Sequence, residues 1–230
     1  TIRASRTSGN YLVPRLELYD PAGALVVSAQ YVITRTLGAA GTYTVLVRDE
    51  GANTGGYAVT WQRLANPCAT GISCGQTVSG TIGQAVATPP WGFYSFNASA
   101  GDVVTVRARN TTYGGSLTLS MDLYGPTGAL VGSASSTTLA QLDRTLVDTG
   151  AYTVVLRDSA NVNLGSYGLT WEKLSGPCEA TALSCGQVVV GSIGVGGEAD
   201  AFTFGVSDNE VVTIRASRTS GNYLVPRLEL

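Results

Sequence analysis

The chain has 230 residues, of which 44% are hydrophobic and only 13% charged. That is room for about two domains, each with its own core, and a polar surface built from Ser, Thr, Gly and Asn rather than from ion pairs. A net charge of −2 gives no electrostatic pull toward nucleic acid or acidic membranes, and the absence of histidine removes Ser-His and Cys-His dyads, ordinary zinc sites and most general acid–base schemes.

In chain order the pattern is that of strands with one buried face. LVPRLELYDPAG (12–23) runs an apolar strand into a DPAG turn. Tyr43, Val45 and Val47 alternate with Thr44, Leu46 and Arg48, and Tyr57, Val59 and Trp61 alternate with Ala58, Thr60 and Gln62. Val104, Val106 and Ala108 oppose Thr105, Arg107 and Arg109, while Leu117, Leu119, Met121 and Leu123 oppose Thr118, Ser120 and Asp122. Tyr167, Leu169 and Trp171 close the middle stretch in the same way. A period of two with turn signals at 20–23, 125–128 and 148–151 predicts β-sandwiches of seven or eight strands. No window carries a capped 3.6-residue period. No apolar run approaches the roughly 18 residues of a membrane helix, and the opening TIRASRTSGN has no apolar centre such as a secretion signal needs.

Repetition organises the whole chain. GTYTVLVRD (41–49) matches GAYTVVLRD (150–158), and GGYAVTWQRL (55–64) matches GSYGLTWEKL (165–174). NPCATGISCGQTVSGTIG (66–83) matches GPCEATALSCGQVVVGSIG (176–194). Residues 1–18 recur without a change at 213–230, 212 positions later, which reads as an alternating array with a 212-residue double unit. An engineered duplication of one end would give the same letters. The expected division is a closing part of a sandwich at 1–64, a linker at 65–75, a complete sandwich at 76–174, a linker at 175–185, and the opening part of the next sandwich at 186–230.

The order of FYSFNASAGDVVTV (93–106), LTLSMDLYGPTGAL (117–130), TGAYTVVL (149–156) and SYGLTW (166–171) resembles the bacterial pre-peptidase C-terminal domain. FTFGVSDNEVVTI (202–214), LVPRLELYDPAG (12–23), GTYTVLV (41–47) and GYAVTW (56–61) extend that resemblance over nearly the whole chain. It implies a jelly-roll-like sandwich, a secreted or cell-surface setting and a non-catalytic role. The acidic pair before the family's first strand is matched only by Glu198 and Asp200; the middle unit has Pro90 and Trp91 there, so the resemblance does not carry a calcium site to both units.

The four cysteines fall into two close pairs, Cys68/Cys74 and Cys178/Cys185. Even count, short spacing and the secreted family together predict a disulfide within each pair, stiffening the linkers and contributing about 2 kcal/mol each. GISCG (71–75) fits the letters of a nucleophile elbow, but Ser73 has no histidine to activate it. Trp61 and Trp171 are expected as core plugs rather than sugar-stacking platforms. Trp91, in the Pro-rich ATPPWGF (87–93), is the candidate for an exposed contact, polysaccharide or cell surface included. Asn97 and Asn110 head glycosylation sequons, and Asp102, Asp148 and Asp158 lie at turns, where Asp caps backbone or, alternatively, binds calcium.

No catalytic, cofactor-binding or metal-binding residue is expected. The expected function is structural: a segment of an extracellular filament, stalk or sheath. Copies would join head to tail, strands from 193–212 of one completing 1–64 of the next. The alternative is a non-catalytic targeting appendage of a secreted hydrolase.

Overall fold

The computed structural model describes residues 1–83, 91–161, 163–221 and 223–230, among which there are strands and turns but no helix. Residues 1–64 form β1 (Ile2–Arg6), β2 (Pro14–Tyr19), β3 (Leu25–Gln30), β4 (Val32–Ile33), β5 (Thr44–Asp49) and β6 (Tyr57–Trp61). They make two three-stranded antiparallel sheets, ordered β4-β1-β6 and β3-β2-β5. Ala4, Leu16, Leu18 and Ile33 are buried between these sheets, while Tyr43, Val45 and Val47 are only half-covered.

After a short β7 (Thr70–Gly71) come β8 (Thr77–Ile82), β9 (Gly92–Ala98), β10 (Val103–Asn110), β11 (Leu119–Tyr124), β12 (Leu130–Ser136), β13 (Leu139–Thr145), β14 (Gly150–Asp158) and β15 (Gly165–Lys173). Their sheets are ordered β13-β10-β15-β8 and β12-β11-β14-β9-β7. The faces turned toward each other carry the alternating apolar residues: Val104, Val106 and Ala108 on β10, Leu119, Met121 and Leu123 on β11, Tyr152, Val154 and Leu156 on β14. Phe96 is stacked between Trp171, at 4.2 Å, and Tyr152, at 5.7 Å. Tyr94 and Tyr167 share a buried hydroxyl–hydroxyl hydrogen bond of 2.8 Å. Burial, and then that bond, push the Tyr167 phenol far above its ordinary pKa, so it stays neutral. Gly80 and Gly92 face the Tyr167 ring, and a Cβ on either would overlap it.

The two stretches share one topology. β1 through β6 take the roles of β10 through β15, and the registers agree: Ile2 lies opposite Trp61 as Val106 lies opposite Trp171. Both contain a register shift at the same place, between Leu18 and Tyr19 and between Leu123 and Tyr124. The shift leads into the proline turns that end at Gly23 and Gly128, whose φ values of 83° and 81° suit glycine. Among the described residues, 1–64 has no outer partner for β6, where β8 lies beside β15, and none for β5, where β9 lies beside β14.

The described residues of 186–230, expected to open the next sandwich, carry a single two-residue strand, β17 (Phe202–Thr203), paired with β16 (Thr181–Ala182). The strand-forming letters are present, but extended chain is stable only when paired and packed, and among the described residues the tail's one strand has β16 as its only neighbour.

Candidate functional site

The site consists of two open sheet edges in 1–64, a tail whose sequence matches their missing neighbours, and two unpaired cysteines. On β6, Tyr57, Val59 and Trp61 are 50%, 47% and 61% exposed; their counterparts on β15, Tyr167, Leu169 and Trp171, are 2%, 1% and 3% exposed. Trp171 is the core plug expected of it, with its indole N–H donating to the Ile72 carbonyl at 3.1 Å. Trp61 is not: among the described residues no strand lies beyond β6 and no ring takes the place of Phe96, so its ring is left to solvent under the Arg63 guanidinium, 5.6 Å from the ring centre.

The tail carries apolar residues that correspond in sequence to those of β8 and β9. Val189 and Ile193 correspond to Val78 and Ile82 of β8; Phe202, Phe204 and Val206 correspond to Tyr94, Phe96 and Ala98 of β9. Ile82, Tyr94, Phe96 and Ala98 are core residues, whereas Ile193, Phe202, Phe204 and Val206 are exposed. The first contact of the tail already repeats that of the complete unit. Thr181 pairs in parallel with Phe202 as Thr70 does with Tyr94, and the Leu183 amide donates to the Thr203 carbonyl at 2.7 Å as the Ile72 amide does to Ser95, at 2.9 Å.

The cysteines are not paired as their spacing predicts. Cys74 is joined to Cys178, 104 residues away, and Cys68 and Cys185 are free and exposed. The cause is sheet topology. β8 and β15 are antiparallel neighbours, with Thr77 opposite Thr170, so the chain entering the sandwich and the chain leaving it meet at one end. The disulfide therefore clasps the two ends of a single sandwich instead of stiffening a linker. Glu172 organises this end: its carboxylate accepts the Cys178 amide at 2.8 Å and lies 3.2 Å from the Cys74 sulfur. Cys74, Glu172 and Cys178 are close enough together for metal ligands, but sulfurs joined in a disulfide have no thiolate to offer.

Trp91 also departs from expectation. It is buried, 9% exposed, with the Arg3 guanidinium 4.8 Å and the Arg157 guanidinium 5.9 Å from its ring. Arg3 comes from β1, so the two units cover this indole between them, and it is not open to a polysaccharide or a cell surface. Desolvation, followed by the charge of Arg157, lowers the Arg3 pKa to about 10, against which Asp158 acts to raise it; Arg3 stays protonated at neutral pH. The neighbouring Pro90 lies outside the described residues.

Of the turn carboxylates, Asp158 is buried and accepts the Thr118 amide at 3.2 Å and the Asn163 amide at 3.0 Å. Its counterpart Asp49 accepts Val13 and Asn53 in the same way. Asp102 accepts the Ser99 amide and pairs with Lys173, both at 2.9 Å. These oxygens are committed to backbone and lysine, the capping role. At Asp148 it is the backbone that is engaged, exchanging hydrogen bonds with the Tyr152 hydroxyl. Ser73 lies in a turn where its amide donates to Gln76, between two strands and not at a strand-to-helix junction.

No family profile matches the chain, and no curated protein matches its sequence. Among solved structures it is similar to the pre-peptidase C-terminal domain of a Bacillus anthracis collagenase, with 16% identity and a TM-score of 0.37 over 45% of this chain and 94% of that one. It is also similar to PliG of Aeromonas hydrophila, a periplasmic inhibitor of g-type lysozyme, with 12% identity and a TM-score of 0.32 over 46% of this chain and 95% of that one. The all-β sandwich architecture stands on the chain's own strand pairing. Among the described residues no helix is long and apolar enough to cross a membrane, a statement that does not bear on β-barrels.

Proposed function

We propose that the chain is a structural repeat segment of an extracellular filament, stalk or sheath, assembling head to tail by β-strand complementation. One observation carries the reading: the positions buried on β15 are exposed on β6, and the strands that would cover them have their counterparts in the exposed tail of the same chain. An uncovered sheet edge with an apolar face is adhesive, and a matching strand supplies both backbone hydrogen bonds and side chains in register. The tail and the β5/β6 edges are different surfaces, so the contact is heterologous and propagates as a string unless it closes into a ring. In a longer polypeptide of these repeats the same contacts form between successive units. A disulfide fits the oxidising environment outside the cell, and a surface that is poor in charge suits close lateral packing.

The test uses the full chain with Cys68→Ser and Cys185→Ser, which keeps the Cys74–Cys178 clasp and removes the free thiols. Sedimentation and negative-stain electron microscopy are expected to show linear strings that lengthen with concentration, and Phe204→Asp to stop growth while leaving the middle sandwich folded. A chain that stays monomeric at every concentration contradicts the proposal.

A further inference from the structure

The two free cysteines are not equivalent to each other; each reproduces one half of the existing disulfide. Cys185 matches Cys74. The Ser184 amide donates to the Gln187 side chain at 2.8 Å, as the Ser73 amide does to Gln76 at 2.9 Å, and the following Gly186 and Gly75 share a φ of 76°. Cys68 matches Cys178. Its amide donates to the Gln62 side chain at 3.0 Å, as the Cys178 amide does to Glu172 at 2.8 Å, and both are reached through a left-handed residue, Asn66 or Gly176. A Cys74-type thiol and a Cys178-type thiol are therefore both present, exposed and locally shaped, Cys68 after the sheets of 1–64 and Cys185 before the tail.

We infer that Cys185 of one copy and Cys68 of the next form an interchain disulfide that locks each strand-complemented sandwich, so that a chain of these segments becomes covalently continuous. The inference rests on the head-to-tail reading above. When residues 188–193 of one copy take the place of β8 beside β6 of the next, the register of the complete unit sets Gly191 opposite Tyr57 and Val188 opposite Thr60, as Gly80 and Thr77 stand opposite Tyr167 and Thr170. The same antiparallel pairing that brings Cys74 to Cys178 then brings Cys185 to Cys68. The chemistry is thiol–disulfide exchange with a small-molecule disulfide as oxidant. One cysteine thiolate attacks oxidised glutathione and releases one glutathione thiolate. The second cysteine attacks the mixed disulfide and releases the other. Two protein thiols are oxidised by two electrons, and one glutathione disulfide is reduced to two thiols.

The experiment incubates the full chain in a glutathione redox buffer, quenches with an alkylating agent, and reads non-reducing gels and peptide maps. A ladder of dimers, trimers and higher species is expected, with a Cys68–Cys185 peptide as the cross-link. Cys68→Ser alone and Cys185→Ser alone are expected to give no ladder, and a mixture of the two to give dimers only. Links of Cys68 to Cys68 or of Cys185 to Cys185, an intrachain Cys68–Cys185 bond, or free thiols throughout would overturn the inference. Strings formed by the double-serine chain, with wild-type thiols remaining free, would retain strand complementation and remove only the lock.

Discussion

Trp61 and Trp171 occupy matching positions of β6 and β15 in matching register, yet Trp171 is 3% exposed and Trp61 is 61% exposed. The difference lies entirely in what stands across from them. Phe96 stacks on Trp171 at 4.2 Å, whereas among the described residues no aromatic ring stacks on Trp61, which has only the Arg63 guanidinium over it.

Trp61 is therefore a reporter of completion. On assembly its fluorescence is expected to shift to the blue and to become resistant to acrylamide, while Trp171 contributes a constant buried signal. A Trp61-only variant, with Trp91 and Trp171 replaced by Phe, isolates the change. Emission that stays red and quenchable in assembled material would show that the β6 face is not what the contact covers.

Cys74–Cys178 closes a loop of about one hundred residues, which in the chain-entropy description removes about 4–5 kcal/mol of unfolded-state entropy, against about 2 kcal/mol for a bond within either close pair. In the Cys68→Ser/Cys185→Ser chain, reduction is expected to lower the unfolding free energy of the middle sandwich, obtained from its urea midpoint and slope, by an amount nearer the larger figure. An unchanged midpoint would mean that the ends of the sandwich are held by strand pairing alone.

Asp102 gives the middle unit an acid-sensitive corner. Its carboxyl pKa is lowered first by the Ser99 amide and then by Lys173. A folded pKa below the unfolded value contributes stability that is present above the ordinary carboxylate range, near pH 4, and is lost as pH falls through the folded value. Asp102→Asn is expected to flatten that part of the stability-versus-pH curve and to leave the neutral side parallel to wild type. Urea midpoints measured from about pH 6 to about pH 2 decide it; superimposable acid limbs would place the sensitivity elsewhere, with Asp49 the next candidate because the Val13 and Asn53 amides depress it similarly.

The strands were legible because alternation at Tyr43-Val45-Val47 or Leu119-Met121-Leu123 is a local property, and the repeat supplied the topology twice over. Disulfide pairing was not local. Cys74 meets Cys178 because residues 77–82 pair with residues 165–170, a relationship no spacing between neighbouring cysteines contains. A signal was nevertheless present in the alignment: Cys68 matches Cys178 and Cys74 matches Cys185, so each close pair joins unlike types, and so does the bond that forms. Trp91 misled for the complementary reason. A Pro-rich sequence reads as surface, but Trp91 is buried beside Arg3, which arrives from another unit. Trp61 shares the alternation of Trp171 but is exposed, because alternation in one strand does not say whether a second sheet lies over it.

Gly80 and Gly191 make the sharpest comparison, because they are the same residue of the repeat in two circumstances. Gly80 faces the Tyr167 ring, so Gly80→Ala must push the tyrosine from its place and disturb its bond to Tyr94. Overpacking of this kind typically costs about 1–3 kcal/mol. Gly191 has only the end of the Asp200 side chain near where its Cβ would lie, at 3.0 Å, and that side chain can move. Gly191→Ala is thus expected to leave the unfolding of the middle sandwich unchanged. If Gly191 comes to lie opposite Tyr57 of another copy, the same methyl group meets the same ring there, and the cost reappears as weaker association. At about 1.4 kcal/mol per tenfold, that is a loss of roughly five- to one-hundred-fold in the association constant. Calorimetric unfolding and sedimentation of the two variants separate the effects. Equal association by wild type and Gly191→Ala would show that residues 188–193 do not lie beside β6 in this register.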